Sequence, residues 1–126
     1  MPNKWEGLDT EKFWFEDLGR SAIFLIPVAK LQIAMDGKTV EKSLFEFLVV
    51  QFGAFTYSTV SNFGVWVDGK QVLVYDECRL YDVAFVGKER IPMLADKLVD
   101  ILQATGEACM FFKAGQYASL IHPRVV

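Results

Sequence analysis

The stretch that most restricts the fold runs from Val65 to Val86 and reads VWVDGKQVLVYDECRLYDVAFV. β-branched and aromatic residues flank Asp68-Gly69 on both sides, the composition of paired strands. Asp and Gly tolerate positive φ at low steric cost, so this dipeptide is expected to make a tight hairpin turn. An unbroken strand from Gln71 to Val86 would reach ~50 Å at about 3.3 Å per residue. That is too long for a domain of 126 residues, so a bend or break is expected near Asp76–Arg79.

The remaining elements follow from periodicity and end signals. Residues 1–20 form an aromatic arm, with Asp9 or Thr10 capping a short helix and Gly19 ending it. Trp5, Phe13, Trp14 and Phe15 exceed what one helical face can hide, so they pack onto the domain or onto a second subunit. Ser21–Met35 is strand-like and divided by Pro27, and Leu31, Ile33 and Met35 alternate with Lys30 and Gln32. Asp36-Gly37 closes that segment. Thr39 caps a helix ending at Gly53, with Val40, Leu44, Phe45, Leu48 and Phe52 as its apolar stripe. Phe55–Val67 reads as a strand, loose around Ser58–Asn62. Pro92 opens a second helix, striped by Leu94, Leu98, Ile101 and Leu102 and stopped by Gly106. Ala108–Phe112 and Tyr117–Ile121 are the closing strands around a turn at Gly115-Gln116.

Without the arm, this order is strand, helix, strand, strand, helix, strand. Right-handed crossovers turn it into an α+β, ferredoxin-like βαββαβ sandwich: a four-stranded antiparallel sheet with two helices on one face. Residues 21–126 form that single domain. The other sheet face lacks a helix and needs a cover. Leu31–Gly37, Gly64-Val65-Trp66, Asp68-Gly69 and Glu77 carry a resemblance over roughly residues 28–121 to small bacterial ferredoxin-like proteins of unassigned function. In element order the chain is also similar to the dimeric α+β barrel proteins. That resemblance implies face-to-face pairing of two sheets and a pocket between sheet and helices. It carries over no catalytic residue, because the lone His122 lies in the tail.

Composition narrows the function classes. The net charge of −3, with thirteen scattered Lys and Arg, argues against nucleic acid. No apolar run is long enough to cross a bilayer and no signal peptide opens the chain, so the expectation is cytoplasmic. Cys78 and Cys109 read as free thiols. One His and two separated Cys do not make a zinc site. Asp36-Gly37-Lys38-Thr39 lacks the upstream glycine of a phosphate loop. No metal or cofactor is expected.

Tyr75, Glu77, Arg79 and Tyr81 alternate, so a strand puts all four on one face. In one reading they form a pocket with Trp66: Arg79 binds an anionic or carbonyl group, Glu77 accepts a proton, and the tyrosines provide walls and hydroxyl donors. In the other they are a structural ion pair, an interface or a solvated bend. Asp76 and Asp82 are ~20 Å apart on a strand, too far to share an ion. With 11 Phe residues and an open sheet face, the leading expectation is a non-enzymatic, homo-oligomeric (dimeric) binding or structural protein. The alternative is a small enzyme or small-molecule-binding domain using Tyr75, Glu77 and Arg79.

Overall fold

The computed structural model describes residues 4–124. Strand β1 spans Arg20–Pro27, after which one 3-10 turn covers Val28–Lys30. The short strands β2 (Ala34–Met35) and β3 (Lys38–Thr39) form a separate hairpin. Its turn residues Asp36 and Gly37 take φ of 53° and 80°, the paired positive values of a type I′ turn.

Helix α1 is Val40–Phe52. The Thr39 side chain accepts from the Lys42 amide, and Gly53 ends the helix at φ 83°. Strands β4 (Thr56–Tyr57), β5 (Asn62–Val67) and β6 (Leu73–Phe85) follow. Helix α2 is Ile91–Thr105, ended by a left-handed Gly106, and β7 (Met110–Ala114) and β8 (Tyr117–Ile121) close the chain.

The protein is therefore a mixed α+β fold, an antiparallel sheet with two helices. The sheet has six strands rather than the expected four, ordered β4-β6-β1-β7-β8, with β5 also on β6. One extra strand is β8, which pairs along β7. The other arises because β4 and β5 run in tandem along one edge of β6. Tyr57 faces Tyr81 and Asn62 faces Cys78, so four residues (58–61) lie opposite two (79–80). The ladder bulges there.

That bulge corrects the expected break in β6. Leu73–Phe85 runs 13 residues without interruption. It fits because its neighbours change along its length. β1 pairs with Cys78–Phe85, whereas Leu73–Glu77 pair only with β5 and leave the body as a two-stranded ribbon. The ribbon's tip also differs from expectation. The positive φ falls on Gln71, at 63°, rather than on Asp68-Gly69. Asp68 acts through its carboxylate, which accepts from the Lys70 and Val72 amides at 2.8 and 2.9 Å.

Alternation sets the two faces of the sheet. Ala22, Phe24, Ile26, Tyr81, Val83, Phe85, Met110 and Phe112 are buried on one face, against Val40, Leu44 and Leu48 of α1 and Leu94, Leu98, Ile101 and Leu102 of α2. Ile23, Leu25 and Leu80 alternate to the other face and are half-buried, while Phe111 and Leu120 there are exposed. Phe24 stacks on Tyr81, its cross-strand partner, at 5.2 Å. Such a pair contributes about 0.5–1.5 kcal/mol beyond burial.

The described part of the arm contains no helix. Its polar side chains take backbone amides that a helix would need: Asp9 accepts from Phe15, Thr10 from Lys12 and Asp17 from Gly19. Gly19 seats the arm. Its φ is 78°, and a Cβ there would lie 2.3 Å from the Phe85 carbonyl oxygen. Gly19→Ala is therefore expected to lift the arm off the end of β6 and cost about 1–3 kcal/mol. Urea unfolding together with limited proteolysis checks this; an unchanged midpoint and an equally protected arm would contradict it.

Candidate functional site

The bulge opposite Arg79 opens a small cleft of about 90 Å³, lined by Val28, Ser58–Ser61 and Glu77–Arg79. One wall is the 58–61 loop, rich in hydroxyls, which the Ser58 amide ties to the Leu80 carbonyl at 3.0 Å. Ser58 Oγ accepts from the Val60 amide at 3.1 Å and tightens the loop. The other wall is the middle of β6.

Two charged groups face each other differently from the sequence expectation. Glu77 and Arg79 do not pair with each other. Ser61 Oγ donates to Glu77 Oε1 at 2.7 Å, and Arg79 Nη1 bonds Glu41 Oε2 in the first turn of α1. Glu77 is thus a carboxylate with a hydroxyl partner and, among the described residues, no ion pair. The Arg79 guanidinium also lies over the Tyr57 ring, 5.2 Å from its centroid.

Behind Arg79 is an aromatic cluster. Tyr57 and Tyr81 are 6.2 Å apart, Phe55 and Tyr81 6.3 Å, and Phe45 and Tyr57 5.2 Å. Tyr81 is fully buried, and no atom stands in hydrogen-bonding geometry to its hydroxyl. Burial pushes that hydroxyl up to about 12, with the Arg79 charge pulling the other way. Cys78 is buried beside the cleft. Burial and then Asp76 push its thiol up, so it is no ready nucleophile near neutral pH.

Of the five residues singled out from the sequence, Glu77 and Arg79 line the cleft, and Tyr81 lies buried in the core behind Arg79. Tyr75 shares their face of β6 but lies exposed on the ribbon opposite Val65. Trp66 is on the opposite face, where its indole N–H donates to Asp76 at 3.1 Å. Glu41, Tyr57 and Ser61 were missed. Only Glu41 carried a local signal, as the acid in the first turn of a capped helix. In the arm, Trp5 stacks on Phe15 at 5.0 Å and Phe13 meets Phe15 edge-on, while Trp14 is exposed.

No family model and no curated protein matches the chain. The resemblance to small ferredoxin-like proteins thus gains no further support. Two solved structures are similar. A phage SAM lyase in complex with S-methyl-5'-thioadenosine aligns with a TM-score of 0.61 at 11% identity, over 90% of this chain and 97% of that one. A phage SAM lyase in the apo state aligns with a TM-score of 0.55 at 14% identity, over 90% and 99%. At such identities the likeness is one of fold. It overturns the leading expectation of a non-enzymatic structural protein, because both similar structures are enzymes and one holds a small molecule. No helix of the described residues is long and apolar enough to cross a membrane.

The unpartnered hydroxyl gives a direct test. Tyr81→Phe keeps the ring stack and removes an unsatisfied polar group, so the variant is expected to be at least as stable as the parent near neutral pH. Because the folded-state value lies above a tyrosine's ordinary 10.0, Tyr81 becomes a liability only in alkali. The parent should lose about 2 kcal/mol of stability as pH rises from about 10 to about 12, a component absent from the variant. Chemical denaturation across that range checks both signs. A variant weaker by 1 kcal/mol or more at neutral pH would mean that the hydroxyl is paired.

Proposed function

We propose that this chain is a small enzyme that binds a sulfonium nucleoside of the S-adenosylmethionine type at the β6 cleft and cleaves it as a lyase. The observation that carries the reading is the full-length likeness in fold to the phage SAM lyase structures. The chemistry of the cleft supports it. A sulfonium substrate of this type brings a fixed positive charge, a carboxylate and a flat ring. Glu77, held by Ser61, is suited to the positive centre, and Arg79 to the carboxylate. Tyr57, partly exposed beneath the Arg79 guanidinium, is suited to the flat ring. When the carbon–sulfur bond breaks, its electron pair stays on sulfur, and the carbon it leaves gains a bond to an oxygen of the substrate's own carboxylate, closing a ring. The departing thioether is neutral and needs no proton donor. The protein's task is then to exclude water and hold the reacting chain in one conformation.

In this reading the path β1–α1–β4/β5–β6–α2–β7 is a ferredoxin-like unit extended by β8. A cleft of about 90 Å³ falls short of the roughly 300–1,000 Å³ of small-molecule sites. A second copy supplies the missing wall, and the exposed Phe63, Val65 and Tyr75 on the same two strands are the surface it covers. A substrate of this kind fits a cytoplasmic location.

Incubation with S-adenosylmethionine is expected to release S-methyl-5'-thioadenosine, followed by chromatography. Arg79→Ala and Glu77→Gln are each expected to cut that release at least a hundredfold while the variants stay folded. Light scattering should show a species larger than one chain. No release above the uncatalysed rate, together with no thermal stabilisation by S-methyl-5'-thioadenosine at millimolar concentration, would remove the reading.

A further inference from the structure

A second and larger cavity sits at the far end of β6, sharing no lining residue with the cleft. It lies between the arm, the Gly87-Lys88 turn before α2, and the β7–β8 turn, as an open hollow of about 930 Å³. That is within the range of small-molecule sites. Its charge runs against that of the whole chain. The chain carries a net −3, yet Lys4, Arg20 and Lys88 line the cavity with Asp17 as the one acidic lining residue, the Glu89 carboxylate lying against Gly87 at its edge. Among the described residues the ion pairs are Lys30–Glu107, Lys38–Glu46 and Arg79–Glu41, so none of the three cations is neutralised that way. Asp17 spends one carboxylate oxygen on the Gly19 amide.

The remaining wall is aromatic. Trp5 is held by its stack on Phe15, Phe85 is buried at the end of β6, and Tyr117 is exposed at the rim. Gly115 leaves room for Arg20: a Cβ there would lie 3.2 Å from Arg20 Cδ.

Clustered cations beside flat apolar side chains in one open hollow suit an anion joined to a ring. We propose that this cavity is a second ligand site, for a nucleoside 5'-phosphate, with Arg20 and Lys88 on the phosphate and Trp5 and Tyr117 against the base. Arg supplies two-pronged contacts to phosphate oxygens, and aromatic faces stack on any base. The proposal does not depend on the function assigned to the cleft.

Calorimetric titration of the whole chain with AMP, adenosine, inorganic phosphate and S-methyl-5'-thioadenosine tests it. AMP is expected to bind at least tenfold more tightly than adenosine or inorganic phosphate, and less tightly as salt rises. Lys88→Ala and Arg20→Ala are each expected to weaken AMP at least fivefold, while Lys88→Ala leaves S-methyl-5'-thioadenosine binding unchanged. Should Arg20→Ala fail to fold, Lys88→Gln on the exposed turn carries the test. AMP binding no better than adenosine, or AMP binding untouched by the charge variants, overturns the proposal. So does loss of S-methyl-5'-thioadenosine binding in the Lys88 variant, which would make this cavity the thioether site instead.

Discussion

A strand of 13 residues exposes more backbone donors and acceptors than a body this small can satisfy with one pair of flanking strands. β6 meets that constraint by changing partners. Its inner half lies between β1 and β4, and its outer half keeps β5 alone. Cys78 is where the change occurs, paired with Pro27 on one side and Asn62 on the other. The 58–61 bulge, the cleft and the apolar ribbon all follow from this change of neighbours. A bulge in β4–β5 lets the two partners keep register with β6 at both ends while the loop between them turns its hydroxyls toward Glu77 and Arg79.

The inner half of β6 also contains the one feature that packing alone does not favour. Tyr81 fills the centre of the core between Phe24 and the Phe45–Phe55–Tyr57 group. Phenylalanine would supply the same ring without leaving a hydroxyl unpaired, at a saving on the order of 1–3 kcal/mol. A polar atom kept at a cost in stability lies beside an arginine on the same strand face, whose charge and N–H groups act on it, so electrostatics as well as packing set this part of the core. Arg79 points the same way. It is only partly covered, and the residue that neutralises it comes from α1, so its position depends on the helix as well as on the strand.

Much of this was legible in the chain because it was local. Thr39, Gly53 and Gly106 mark helix ends through contacts within a few residues. The alternation of Tyr75, Glu77, Arg79 and Tyr81 puts them on one face whatever the rest of the fold does. What escaped was set at long range or by side chains that compete with the backbone. Glu41 and Arg79 are 38 residues apart, and nothing near either announces the other. Asp68 looked like a residue that tolerates positive φ. Its carboxylate instead gathers two amides, and the unusual backbone passes to Gln71. Asp9, Thr10 and Asp17 looked like helix signals in the arm, but the same bonding capacity builds an irregular loop when no apolar stripe needs a helix.

The exposed ribbon and the cleft cannot be treated as separate features. A two-stranded ribbon is marginal in water by itself, and this one presents apolar side chains on both faces: Phe63, Val65 and Tyr75 on one, Trp66 on the other. Its polar ties, the Asp68 carboxylate at the tip and the Trp66–Asp76 hydrogen bond, hold the two strands to each other and do nothing to cover them. Phe63 is the direct cross-strand partner of Glu77. Neighbours at that spacing, ~5 Å, lie within one side chain's reach. Any surface that buries the Phe63 face of the ribbon must therefore also close over Glu77, and the burial that would stabilise the ribbon is the same event that would lower the dielectric around the cleft carboxylate.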